Sequence, residues 1–331
     1  MTRYLITGGA GFIGSSLSKS LLGDSVRITI ADRRSSRESP VPLDNHDNVE
    51  WVEVDLRDPC KTAELIKEKG PDIIYHLAAQ PLSSLSNYEP FSTVQDNILA
   101  TYSVLEALRK HGRNTRLVHA SSACFYGVPA SQPPLRETDP PAVGHYIYTA
   151  TKIAADFAVQ HYRHVYRLDC ISARMVNVYG PGDRHLERIV PKLVGQALRR
   201  EAPRLTQSDG TDVLSFLYID DAVAALRVLG NHPDASSSAV WNISGSEPIS
   251  VLDVMKKIYN IVGLPTDVFA TVGPRRGKPV HKYLDGTMAR TRLHFSPLVD
   301  LDLGLRLSVE WYRNFSVGVT LRQQELLDVG A

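Results

Sequence analysis

The segment Tyr4–Gly14, Tyr-Leu-Ile-Thr-Gly-Gly-Ala-Gly-Phe-Ile-Gly, constrains the fold of this chain more than any other. A short apolar, β-favouring run meets a cluster of glycines, and an amphipathic pattern opens directly after it. Glycines tolerate the positive φ and the close backbone contacts of a tight strand-to-helix turn. The helix beginning near Phe12 then offers unpaired N–H groups and a partial positive charge, which suit a pyrophosphate. Gly8, Gly11 and Gly14 satisfy G-x-x-G-x-x-G; Gly9, Gly11 and Gly14 satisfy G-x-G-x-x-G. Asp32 ends the next strand-like run, 18 residues after Gly14. That is close to the offset at which a carboxylate meets the ribose diol of a dinucleotide. The same carboxylate repels a 2′-phosphate, which predicts NAD over NADP, with Arg33 and Arg34 beside it as the opposing charge.

The turn opens a repeating rhythm. Strand-like runs at Tyr4–Thr7, Val26–Ala31, Val49–Val54, Ile73–Leu77, Leu117–Ser121 and Cys170–Arg174 alternate with amphipathic stretches such as Cys60–Lys69, Ile98–His111 and Ala150–Tyr166. Alternation of this kind predicts right-handed crossovers and an α/β, Rossmann-type, doubly wound parallel sheet. The second half loses the rhythm and reads as a smaller α/β domain. The expected boundaries are 1–175 with 212–245 for the first domain, and 176–211 with 246–331 for the second. With 331 residues the chain is long enough for two cores. A net charge of +1 provides no global field for nucleic acid or anionic membrane. The absence of an 18-residue apolar run predicts no membrane span. Three widely spaced cysteines, Cys60, Cys124 and Cys170, fit reduced thiols in a cytoplasmic protein. No spacing of His, Cys, Asp or Glu suggests a metal, and His76 and His119 read as satisfied core histidines.

Tyr148-Thr149-Ala150-Thr151-Lys152 places a phenol and an ammonium four residues apart, on one helix face. A phenol near its reference pKa of about 10 is a poor base at neutral pH. A nearby ammonium favours the phenolate, which can take a hydroxyl proton as a hydride leaves the same carbon. Ser121 and Ser122 end a strand upstream of this pair, where a hydroxyl can bind the reacting oxygen.

Thr7–Gly14 with Asp32, His76–Ala79, Ser121–Gly127, Tyr148–Lys152, Asn177–Gly182 and Tyr218–Asp221 follow one another in the order seen in a known family. Together they resemble the NAD-dependent nucleotide-sugar epimerase/dehydratases, which are extended short-chain dehydrogenase/reductases, over residues 3 to about 315. The resemblance implies Tyr148 as base, Lys152 on the nicotinamide ribose, and Ser122 on the substrate hydroxyl. Gly8, Gly11, Phe12, Ile13, Gly14, Asp32, Arg33, Asp55, Leu56, Leu77, Ala78, Ala79 and Asn97 would line the cofactor. Ser86, Asn177, Arg184 and Arg275 would face a nucleotide-sugar substrate held by the second domain. A homodimer through Ile98–His111 and Ala150–Tyr166 is implied on the same ground.

Two positions depart from the pattern. The 4,6-dehydratases carry an acid pair directly after the active-site hydroxyl, where this chain has Ala123 and Cys124. Alanine cannot donate a proton, so ordinary 4,6-dehydration is disfavoured. Related decarboxylases use Glu where Cys124 stands. Ser121-Ser122-Ala123-Cys124 is similar instead to the GDP-mannose 3,5-epimerase subgroup, whose cysteine exchanges a proton beside a transient 4-ketone. A buried cysteine acting as a small hydrophobe is the competing reading. That subgroup also uses a lysine after the Asn-Tyr-Gly-Pro segment, where this chain offers Arg184, His185 and Arg188. Leu214 stands where the family typically has an arginine that contacts the diphosphate, leaving Arg275, Arg276 or a loop residue to hold it, or else implying an unusual donor. The expectation is an epimerase that oxidises C4 transiently and inverts C4 or, through Cys124, C3 or C5. The alternatives are a dehydratase, decarboxylase or dehydrogenase, or a non-catalytic dinucleotide sensor.

Overall fold

The computed structural model describes residues 1–41, 43, 46–112, 114–129, 133–206, 210–266, 270–272 and 279–328. Six strands of its main sheet follow in chain order: β1 (Thr2–Thr7), β2 (Val26–Asp32), β3 (Val49–Glu53), β4 (Ile73–His76), β5 (Arg116–Ser122) and β6 (Cys170–Met175). With Val240–Ile243 as the seventh strand, the order across the sheet is β3-β2-β1-β4-β5-β6-(Val240–Ile243), and every neighbouring pair is parallel. The predicted doubly wound sheet is thus present.

Period-2 alternation explains why both faces are covered. On β1, Tyr4 and Ile6 enter one core while Leu5 enters the other; on β4, Ile73 and Tyr75 part from Ile74 in the same way. One core takes in Phe12–Ser20 and Ile219–Asn231, and the other Pro59–Lys69, Ala100–His111 and Ile147–Tyr166. A sheet buried on both faces needs nearly continuous apolar strands, as these are.

The chain reverses direction across the sheet between β1 and β4. Both strands end there, and the crevice beyond their carboxyl ends is where an open α/β sheet receives a ligand. The smaller pairings gather the remaining strands: Phe216–Tyr218 with Asn177–Tyr179, Val213–Leu214 between Ile249–Ser250 and His281–Lys282, and Ala270–Val272 with Arg204–Thr206.

The starts of two helices differ from the Ala150 and Ile98 that the apolar pattern predicted. Ile147–Tyr166 starts three residues before Ala150, because Asn87 and Ser86 accept the otherwise unpaired N–H groups of Ile147 and Tyr148. Ala100–His111 is preceded by a π-helical turn, Gln95–Leu99, that carries Asp96 and Asn97. Among the described residues no helix is long and apolar enough to cross a membrane, and no cluster of His, Cys, Asp and Glu could hold a metal.

Candidate active site

A cleft of about 600 Å³ lies at the β1/β4 switch point, lined by Gly8, Gly11–Gly14, Asp32–Arg34, Asp55–Arg57, Leu77–Gln80 and Arg188, among others. The glycine turn forms its floor. Gly8 holds φ +70°, and a Cβ there would stand 2.6 Å from the Ala78 backbone nitrogen; one on Gly14 would stand 2.3 Å from the Gly8 oxygen. Any other residue would push the two strand ends apart. No side chain caps the helix at Gly11, so its first N–H groups, those of Phe12, Ile13 and Gly14, face an anion site.

Asp32 braces this floor. Its Oδ2 accepts from the Ala10 N–H at 3.0 Å, and Arg34 folds over it with Nε 3.3 Å from Oδ1. Arg33 instead turns to the buried Asp96, with two hydrogen bonds of 3.0 Å. Arg57, whose short spacing from Asp55 carries no motif of its own, pairs with that carboxyl at 2.6 Å and holds it below its ordinary range. Leu77, Ala78 and Ala79 line the cleft, while the buried Asn97 clamps the loop behind them. Its Oδ1 accepts from the Gln80 N–H at 2.7 Å, and its Nδ2 donates to Thr151 Oγ1 at 2.9 Å. A glycine floor that excludes any Cβ, a helix N-terminus and a braced carboxylate together fit a dinucleotide. Removing the Asp32 carboxylate should weaken NAD binding about 10- to 100-fold, the worth of hydrogen bonds to a charged group. The same change should narrow the preference over NADP, because Arg34 loses its partner. Calorimetry of Asp32→Ala with both dinucleotides checks this; unchanged affinities would remove Asp32 from the ribose.

At the other end, Ser122, Tyr148 and Lys152 converge. Ser122 lies close enough to the Tyr148 phenol to favour its ionised form, and Lys152 donates to the Ala120 carbonyl at 2.9 Å with its Nζ 5.9 Å from the centre of the Tyr148 ring. Burial pushes Tyr148 well above its ordinary pKa and the neighbouring Cys124 adds to this, while Arg188 and Ser122 act in the opposite sense. Burial also pushes Lys152 down to about 8, against the pull of Cys124 and Asp156. In the resting site the phenol therefore keeps its proton.

The segment after Ser122 is a short 3₁₀ turn, Ala123–Tyr126, whose Cys124 N–H donates to Ser122 Oγ at 3.1 Å. Cys124 is half-buried, with Lys282 Nζ 3.9 Å from its sulfur.

The other predicted contacts divide. Ser86 is fully buried: its hydroxyl donates to Ser83 O and accepts from the Tyr148 N–H, so it positions Tyr148 and offers no face to a sugar. Asn177 is exposed and donates to Ser215 O at 3.3 Å. Arg184 reaches away to Glu38 O and lies over Phe315, whereas Arg188, four residues on, faces the cleft and Tyr148. Arg275 and Arg276 lie outside the described residues. His76 is satisfied by Thr7 and Thr101, but both ring nitrogens of the buried His119 lack a partner, contrary to expectation.

The family model described as "NAD dependent epimerase/dehydratase family" matches residues 4–244. A UDP-glucose 4-epimerase from Mycolicibacterium smegmatis is 34% identical over 95% of this chain and 99% of its own. A dTDP-glucose 4,6-dehydratase from the same organism is 31% identical over 94% of this chain and 93% of its own. The crystal structure of DesIV, a dTDP-glucose 4,6-dehydratase from Streptomyces venezuelae solved with NAD bound, superposes with a TM-score of 0.85 at 26% identity, over 95% of this chain and 97% of that one. With the glycine floor, Asp32 and the serine–tyrosine–lysine set in place, the chain is an enzyme of the NAD dependent epimerase/dehydratase family, and NAD is its cofactor.

Proposed function

We propose that this enzyme is an epimerase of a nucleoside-diphosphate sugar, working through transient oxidation at C4. The carrying observation is the turn beside the catalytic hydroxyl. Ala123 and Cys124 occupy it, with Ala123 buried, so no carboxylic acid stands there to help hydroxide leave. Net elimination lacks its acid, whereas oxidation and return need only Ser122, Tyr148 and Lys152.

When bound, NAD supplies the acceptor and later the donor of the sugar's hydride. The chain's own residues do the rest. Ser122 holds the sugar hydroxyl against the phenol. Tyr148 takes that hydroxyl's proton and later returns it. Lys152, locked to Ala120 O, keeps positive charge beside both. Inversion at C4 then requires the ketosugar to present its other face before the proton comes back. Arg188 and Arg275 are the proposed diphosphate contacts. The reading includes a cytoplasmic homodimer through Ala100–His111 and Ile147–Tyr166, whose outward faces expose Tyr102, Val165 and Tyr166.

The test is turnover of a panel of uridine, thymidine and guanosine diphosphate sugars, with products followed by NMR and reduced nicotinamide by near-ultraviolet absorbance. The expected product is an epimer of unchanged mass with no net NADH. A product lighter by one water, or stoichiometric NADH, would overturn the reading in favour of a dehydratase or a dehydrogenase.

A further inference from the structure

The segment from Gly180 to Arg188 follows the strand Asn177–Tyr179 and crosses the mouth of the cofactor cleft, tied to both walls. On the side of the loop after β2, Arg184 donates to Glu38 O at 3.3 Å, and its guanidinium lies over the Phe315 ring. On the side of the loop after β4, the Ser84 hydroxyl donates to Glu187 at 2.7 Å. Between these ties the segment has a fixed shape. The fully buried Asp183 side chain accepts from the His185 N–H and from Arg188, both at 3.2 Å, and its carbonyl accepts from the Tyr312 hydroxyl. Gly182 packs against Phe12, the first residue of the cofactor helix, and against Pro40; a Cβ on it would stand 3.6 Å from the Phe12 ring. His185 and Arg188 belong to the lining of the cleft. His185 feels the charges of both Arg188, which bears on Tyr148, and Arg34, which covers Asp32, so the segment spans the cleft from one end to the other.

We propose that residues 180–188 form a strap over the dinucleotide, that His185 is a cofactor contact on its inner face, and that the ties to Glu38 and Ser84 set how fast NAD enters and leaves. None of the four tied residues, Glu38, Ser84, Arg184 and Glu187, lines the cleft, so they act on the strap and not on the cofactor. All four are exposed, and each tie is a single hydrogen bond, of modest net worth in water. The buried tie between Asp183 and Tyr312 stays as the pivot, while the exposed ones at Arg184 and Glu187 release. Arg184, Glu187 and Ser84 are thus positioning residues, and His185 is carried to the site by the strap they hold. The proposal stands on NAD as the cofactor and not on which sugar reaction the enzyme runs.

Stopped-flow fluorescence of NADH tests this without any sugar. Entry is followed on protein freed of nucleotide, and exit by chasing bound NADH with excess NAD. Ser84→Ala and Arg184→Met should each speed both entry and exit by about 2- to 10-fold, the worth of one net hydrogen bond. The two ties sit on opposite walls, so the double variant should approach the product of the single effects. The dissociation constant should change little, because the two rates move together. Ser84→Thr keeps a hydroxyl and should hold both rates near those of the wild type. His185→Ala should speed exit by a similar factor and leave entry unchanged. Faster entry is the deciding sign: a damaged site binds more weakly but not faster, and loss of the Arg184 charge would by itself slow the approach of an anion. Entry into the double variant no faster than into the wild type would overturn the strap. A lowered melting temperature with weaker affinity and unchanged entry would overturn it too, marking the tied residues as ordinary surface packing. Unchanged exit from His185→Ala would remove that side chain from the cofactor site.

Discussion

Tyr148→Phe should lower kcat by roughly 10²–10⁴-fold, the usual contribution of a positioned acid or base. The ring still fills its buried place against Ser122, and its backbone N–H still reaches Ser86, so the fold and NAD affinity should change little. The pH profile should distinguish lost chemistry from lost shape. Burial raises the phenol above its ordinary pKa, so the ionised base is the minor form at neutral pH and kcat/KM should climb as pH rises. The phenylalanine variant has nothing to ionise and should lose that climb. Stopped-flow reduction of NAD together with steady-state rates across pH would check both parts. Near-normal turnover in Tyr148→Phe would remove the phenol from the mechanism.

Arg174→Met should destabilise the protein by about 3–5 kcal/mol, the cost of leaving one member of a buried ion pair unpaired. Arg174 is 2% exposed and Asp156 is fully buried. They share bonds of 2.9 and 3.1 Å, and Asp156 also accepts from Ser121 at 2.6 Å and from Gln160 at 2.7 Å. The guanidinium lies 3.4 Å from the Phe125 ring centre and donates to the Tyr126 hydroxyl at 3.0 Å. Without it, Asp156 is a lone charge in the core, and the turn that carries Cys124 loses its backing. Arg174→Met combined with Asp156→Leu should recover much of the loss, because apolar replacement of a whole buried pair is often neutral or better. Urea denaturation of the single and double variants measures this. A single variant within about 1 kcal/mol of wild type would show that water reaches the site, contrary to its burial.

How much of this was legible in the sequence depended on separation along the chain. The glycine turn and Asp32 lie within one strand–helix–strand unit, where backbone sterics and a near-constant offset leave few alternatives. Tyr148 and Lys152 share one helix face, so their convergence followed from helix geometry alone. The helix start was harder to read, because its caps, Ser86 and Asn87, come from about 60 residues upstream. For the same reason a serine expected at the sugar turned out to hold the backbone of Tyr148. Arg184 was favoured over Arg188, but a loop's conformation has no period, and only the fold showed which arginine faces the cleft.

The sequence by itself determined the parallel sheet, the dinucleotide turn and the hydroxyl–phenol–ammonium set, because each is written in local periodicity, glycine sterics or short spacing. Only the tertiary structure decided the protonation of the site and the company Cys124 keeps. Burial of Tyr148 and Lys152 sums over every element packed around them, and Lys282 reaches Cys124 from 158 residues along the chain, a meeting that no local pattern encodes. Desolvation and long-range contact are properties of the closed chain, and neither exists until it has folded.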